Sequence, residues 1–307
     1  MHTARTPISR PLTRRSALVG SAGLMGLGLA ACSDNASTGG ADTGETITLG
    51  YVPSWTDGLS TAYLLDNRLQ AMGYNVEHQE ISEPAALYAA LAKGDIDVYP
   101  SAWPEVTHKE YMEKYGEDID DLATYYGSAV LTIAVPDYTD ITSIADLKGN
   151  ADMFGGKIIG IEPGAGLTGV TQDSMMPTYE LEGEYELVTS STTAMLSELK
   201  KATEAETDIV VTLWRPFWAN SAFPVRDLED PEGAMGDKEG LHFLARTGFG
   251  DDFADAAEFI GGITLDDKQY NSLEDLVVNE FGDGKEAEAI DKWLEENPDV
   301  LPEVEEG

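Results

Sequence analysis

A single cysteine, Cys32, in 307 residues leaves the chain without disulfides and without the Cys/His pair of a thiol enzyme. Positive charge is scarce too: 19 Lys and Arg stand against 56 Asp and Glu, a net charge of -37. That balance excludes nucleic acid and anionic membrane surfaces as partners, and it gives a heavily solvated acidic surface. The four histidines (His2, His78, His108, His242) have no metal-ligand spacing, and Gly-x-Ser-x-Gly is absent. No metal, triad or cofactor chemistry is expected, and no internal repeat is visible.

The one cysteine is informative by position. It closes Leu29-Ala30-Ala31-Cys32, behind four arginines (Arg5, Arg10, Arg14, Arg15) and an uncharged stretch from Ser16 to Ala31. A basic n-region followed by a short apolar, glycine-rich h-region reads as a signal peptide, not a membrane span. Thr13-Arg14-Arg15-Ser16-Ala17-Leu18 also resembles a twin-arginine export signal, with Ala17 where a bulkier residue is usual. Cleavage before Cys32 and acylation of its thiol would supply two or three lipid chains, enough for stable anchoring. The expectation is therefore a signal peptide over 1–31 and a protein anchored by lipid to the outer face of the cell membrane. Residues 32–45, rich in Gly, Ser, Thr, Ala and Asp, form a flexible tether of about 20 Å r.m.s. reach.

Beyond the tether, strand and helix patterns alternate. Strands are expected at 47–52, 74–81, 96–99, 130–135, 157–161 and 209–213, and helices at 60–72, 85–93 and 193–201, with Gly73 and Gly94 as stops. Two acidic helices, 266–281 and 285–296, close the chain, and Trp293 reads as core packing. This is an α/β pattern with largely parallel sheets.

Two features carry chemistry. Gly164-Ala165-Gly166-Leu167-Thr168-Gly169 fits the dinucleotide pattern G-x-G-x-x-G, with Glu182 and Glu184 as candidate ribose acids, but it lies far into the chain and Pro163 interrupts the junction. The other feature is aromatic: Trp55, Trp103, Trp214 and Trp218 stand at strand ends or in the loops just after them. In open α/β sheets that is where ligands bind, and clustered indoles suit a quaternary ammonium, whose diffuse charge cannot donate hydrogen bonds.

Several segments resemble the glycine betaine and choline substrate-binding proteins of ABC transporters. They are Gly50-Tyr51-Val52, Trp55-Thr56-Asp57, Ser101-Ala102-Trp103 with Thr107-His108, 160–166 (GIEPGAG), 190–195 (SSTTAM) and 210–218 (VVTLWRPFW). The resemblance runs from about 46 to 295 and implies a two-lobed, type II periplasmic-binding-protein fold closing on its ligand. It implies lobe 1 from 46–133 and 216–307, lobe 2 from 134–215, and a membrane permease as partner. Trp103 and Trp214 match cage tryptophans of the family. Trp55 and Asp57 resemble its Trp-x-Asp, where the carboxylate lies near the ammonium. The amides of Gly58 and Leu59, or of Ala165 and Gly166 in the glycine-rich loop, match those that hold a betaine carboxylate. The chain departs from the family at Leu213, Phe217 and Ala165, so the cage must be completed by Trp55, Trp218, Tyr51 or another aromatic. The resulting expectation is a binding protein for a quaternary ammonium osmolyte, glycine betaine first. An exported dinucleotide-binding oxidoreductase using Gly164–Gly169 is the competing reading, and a surface lipoprotein without a small ligand is a third.

Overall fold

The computed structural model describes residues 44–304; the expected signal peptide, Cys32 and most of the expected tether lie outside the described residues. The chain opens with β1 (Thr46–Tyr51), α1 (Thr56–Ala71), β2 (Asn75–Glu80), α2 (Pro84–Lys93) and β3 (Val98–Ala102). In α1 the apolar spacing puts Ala62, Leu64, Leu65 and Leu69 fully inside, and each buried leucine contributes about 1.5–3 kcal/mol. Pro84 starts α2 where its missing N–H costs nothing. Gly94, at φ +73°, ends it in the left-handed region that a side chain resists.

After α3 (Lys109–Tyr115) the chain runs into β4 (Ile119–Pro136), eighteen residues long. There follow β5 (Lys157–Ile159), α4 (Gly166–Val170), α5 (Met176–Thr178), β6 (Glu186–Val188), α6 (Thr192–Ala205) and β7 (Val211–Arg215). A π-helical stretch, Thr171–Met175, joins α4 to α5. Ser191 caps α6 by accepting from the Ala194 amide. The Arg215–Pro216 bond is cis. Beyond it come α7 (Ala219–Ala222), β8 (Val225–Asp227), β9 (Glu239–Arg246), α8 (Phe249–Asp252), α9 (Ala254–Gly261), α10 (Asp267–Glu274) and α11 (Glu286–Glu296).

The sheet order is β2-β1-β3-β9-β4-β7-β5-β6, with β8 also paired to β4. It is mixed and not largely parallel. The β1/β2, β1/β3, β5/β6 and β5/β7 pairs are parallel, whereas β9 and β4, at the middle, pair antiparallel with every neighbour. β4 belongs to two half-sheets. Its residues Ile119 to Ala129 pair with β9, and from Val130 its partner is β7. β8, beyond the boundary expected at 216, pairs with the far end of β4 at Ala134–Pro136. Each half-sheet is thus a parallel βαβ run stitched to β4 by antiparallel strands.

Trp293 is fully buried on α11, its indole N–H donating to Ser272 Oγ at 2.9 Å. Its burial agrees with the core role read from its helical spacing. Among the described residues no helix is long and apolar enough to cross a membrane.

Candidate functional site

The carboxyl ends of β1, β3, β5 and β7 converge at the point where β4 changes partners, and a narrow cleft opens there. Trp55 follows β1, Trp103 follows β3, Trp214 sits near the end of β7, and Leu131 of β4 forms the floor between them. Asp57, Thr107, His108, Ile161, Ala165, Gly166 and Leu167 complete the lining. No Lys or Arg is among these residues, so the cleft offers nothing to neutralise a ligand that is only an anion.

Asp57 is 3% exposed. Its Oδ2 accepts from Ser101 Oγ at 2.8 Å and from the Trp103 indole N–H at 3.1 Å, and Ser101 in turn accepts from Tyr125 OH at 2.9 Å. Burial pushes the Asp57 carboxyl above its usual range, while the bonds from Trp103, Ser101 and the Gly58 amide hold it back. A cation in the cleft would favour the ionised form. Trp214 is backed by Phe217, the rings stacked at 3.9 Å and 19°.

His108 is fully buried, and its Nδ1 accepts the Trp103 backbone N–H at 3.1 Å and lies 2.9 Å from Tyr88 OH. Desolvation lowers its pKa to about 3. The ring is therefore neutral, with its proton on Nε2, and serves as a donor rather than a charge.

Six of the residues singled out from sequence meet in the cleft: Trp55, Asp57, Trp103, Ala165, Gly166 and Trp214. Gly58 and Leu59 lie in the first turn of α1 outside the lining; the Leu59 amide bonds Trp55 O at 3.1 Å. The Ala165 amide is likewise used, bonding Glu162 O at 3.0 Å. Gly166 and Leu167 open α4, where first-turn amides lack intrahelical acceptors. Trp218 packs on Phe217 and Phe223 and lines a separate cavity with Glu274, and Tyr51 turns away to bond His78 at 3.1 Å. Sequence reasoning missed His108, Thr107, Leu131, Ile161 and Leu167 as lining. Of these, Thr107, His108 and Ile161 lie in the segments that resemble the family and Leu167 in the glycine-rich loop, whereas Leu131 carried no signal.

The G-x-G-x-x-G loop is used differently from a dinucleotide fingerprint. α4 is five residues long, and Gly166 is needed for lobe packing: a Cβ there would lie 1.7 Å from the Thr107 carbonyl oxygen. Gly169 has open space, and Glu184 accepts from the Gly149 amide at 2.7 Å. Among the described residues no group of three His, Asp or Glu could hold a metal.

The sequence profile of the substrate-binding domain of ABC-type glycine betaine transport systems matches residues 45–296. The chain belongs to this family. It is a substrate-binding family of transport proteins, not an enzyme family, and the oxidoreductase reading falls with that finding. A glycine betaine/carnitine transport binding protein, GbuC of Listeria monocytogenes, is 34% identical over 153 residues, 49% of each chain, so the match spans about half of that curated relative. The glycine/betaine/L-proline-binding protein ProX of Borrelia burgdorferi superposes with a TM-score of 0.77 at 34% identity, covering 84% of this chain and 97% of that one. Lactococcal OpuAC, closed on glycine betaine, gives 0.76 at 26% identity, covering 83% and 96%. The expected type II periplasmic-binding-protein architecture is the one observed.

Two outcomes follow from this geometry. Gly166→Ala holds the half-sheets apart, so small-angle scattering gives a larger radius of gyration than for wild type, while Gly169→Ala, with nothing within 4 Å of its added methyl, matches wild type. The second concerns Glu274, 1% exposed, whose Oε1 accepts from Thr56 Oγ1 at 2.7 Å and whose Oε2 has no hydrogen-bond partner among the described residues. Burial raises its pKa to about 8, aided by Asp57 and opposed by Thr56 and the Trp218 amide. The folded chain keeps this proton to about pH 8, whereas the unfolded chain releases it near 4.5, so stability falls as pH rises between those values. Glu274→Gln flattens that slope by on the order of a few kcal/mol, measured by urea denaturation at pH 5 and pH 8.

Proposed function

We propose that this protein is the extracytoplasmic receptor of an ABC importer, which holds a quaternary ammonium osmolyte, glycine betaine first, in a tryptophan cage and delivers it to a membrane permease. The observation that carries the reading is the union of Trp55, Trp103 and Trp214 with the buried Asp57 in one cleft without Lys or Arg. Three cation–π contacts of about 1–2 kcal/mol each attract a methylated ammonium. The ammonium sits toward Asp57, and the betaine carboxylate meets the amides at the start of α4 and the Nε2–H of neutral His108. Hydrogen bonds to that charge contribute about 1.5–3 kcal/mol apiece, enough after ordering costs for a dissociation constant of about 1 μM.

Choline, a pure cation, is the competing ligand, and the buried Asp57 carboxylate favours it. It leaves the carboxylate donors unpaired, at about 1–3 kcal/mol per buried group. Calorimetric titration of both ligands decides between them. Betaine is expected to bind at least about tenfold tighter than choline, with Asp57→Asn weakening choline more than betaine. Trp103→Ala and Trp214→Ala are each expected to weaken betaine at least about tenfold, while Trp293→Ala lowers stability alone. Choline binding as tightly as betaine would overturn the ligand assignment, and equal losses at all three tryptophans would overturn the cage.

The membrane anchor proposed at Cys32 rests on the sequence around it. Cys32→Ser is expected to shift the protein from the membrane to the soluble fraction with ligand affinity unchanged, because the tether separates anchor from fold. Membrane retention of the variant would place the anchor elsewhere.

A further inference from the structure

Behind the cleft, and absent from its lining, one carboxylate joins the two half-sheets. Glu162 follows β5 in the second half-sheet and is 8% exposed. Its Oε1 accepts from the Thr192 amide at 2.9 Å and from Ser54 Oγ at 3.2 Å. Its Oε2 accepts from Thr192 Oγ1 at 2.9 Å and from the Trp55 indole N–H at 3.3 Å. Each oxygen thus takes one donor from its own half-sheet, at the first residue of α6, and one from the β1–α1 turn of the other. The inner pair is the shorter, and a carboxylate at the N-terminus of a fourteen-residue helix is favoured by the helix dipole. The outer pair is longer, the geometry of bonds that break at modest cost when the half-sheets part.

We propose that Glu162 is a closure latch, a positioning residue that fixes the Trp55 indole only when the two half-sheets meet. Trp55 is the only one of the three cleft tryptophans whose indole N–H is held from across the cleft; that of Trp103 is held by Asp57 of its own half-sheet. Its ring already stacks on His108 of its own half-sheet at 5.9 Å, and closure adds the bond that locks the N–H edge of this third wall. Breaking the latch speeds ligand escape without touching the ligand's own contacts. The proposal rests on the receptor reading above, but its closure element does not require the ligand to be betaine.

The test uses the full chain carrying Cys32→Ser, with spin labels on cysteines introduced at the exposed Lys93 of α2 and Lys201 of α6, so that one label rides on each half-sheet. In Glu162→Gln, whose amide group presents a donor to donors, the closed inter-label distance loses population both without ligand and with glycine betaine. Stopped-flow fluorescence shows betaine leaving about tenfold faster, the worth of one bond to a charged group. Ser54→Ala, outside the lining, shifts both readouts in the same direction by less. Trp55→Phe keeps a ring and removes the N–H. Combined with Glu162→Gln it speeds betaine release by less than the product of the two single effects, because the two changes share one bond while the weaker ring face adds its own loss. Identical label distances in wild type and Glu162→Gln overturn the latch. So does a Glu162→Gln variant that melts lower yet keeps the wild-type dissociation rate, as a mere cap of α6 would, or a double variant whose two losses multiply in full, with no coupling between them. Failure of wild type to bind betaine overturns the ligand assignment instead, and the ligand-free distances still decide the latch.

Discussion

Because β4 gives its first residues to β9 and its last to β7 and β8, whatever separates the two half-sheets must bend or twist one continuous strand. The change of partner falls between Ala129 and Val130, and Leu131, the next residue but one, already lines the cleft. Ladder bonds on either side of that point hold each half-sheet rigid, so motion concentrates where the pairing changes hands. The strand that joins the halves thus also sets the floor of the site, and opening the cleft means moving its walls about Leu131.

The four acids buried among the described residues, in a chain of net charge -37, are kept by neutral donors and not by cations; Glu239 accepts from the Val106 and Thr107 amides. Asp57 has Ser101 and Trp103, Glu162 has Thr192, Ser54 and Trp55, and Glu274 has Thr56. Taking a carboxylate out of water without a counter-ion is costly. At Asp57 and Glu274 the cost appears as raised proton affinity. At Glu162 four donors fill both oxygens. The same scarcity of Lys and Arg that empties the cleft of cations makes hydroxyls, indoles and backbone amides its working groups.

Much of the first half-sheet was legible because its signals are local: apolar spacing in α1 and α2, left-handed glycines after them, and tryptophans just beyond β1 and β3. β9 was not. Glu239 to Ala245 are all buried, which erases the alternation that marks a half-exposed strand. The first part of β4 escaped for the opposite reason, since register shifts at Asp121/Ala123, Thr124/Tyr126 and Tyr126/Ala129 break the two-residue period. Those two antiparallel strands are what make the sheet mixed. In the site, Trp55, Asp57, Trp103 and Trp214 could be named because each stands beside a turn residue or strand end. Trp218 differs from Trp214 only by which side of the chain it leaves, a matter decided by packing against Phe223 and α10. Glu162 acts through bonds to Ser54 and Trp55, more than a hundred residues away in sequence, which no local pattern encodes.

The stacking of Phe217 on Trp214 bears on the order in which a ligand meets its site. Both rings belong to the second half-sheet, as Asp57, Ser101, Trp103 and Tyr125 belong to the first, and each group is braced by its own neighbours. Two finished faces therefore stand ready on an open molecule, one carrying the negative charge and the other a doubled aromatic slab. Under the proposed receptor function, a cation meets the charged face first, and the slab closes over it with its rigidity settled in advance. Apart from the Trp55 indole, whose N–H bond comes from the other half-sheet, little conformational freedom is left to lose at capture, so selectivity falls on what fits between two braced surfaces.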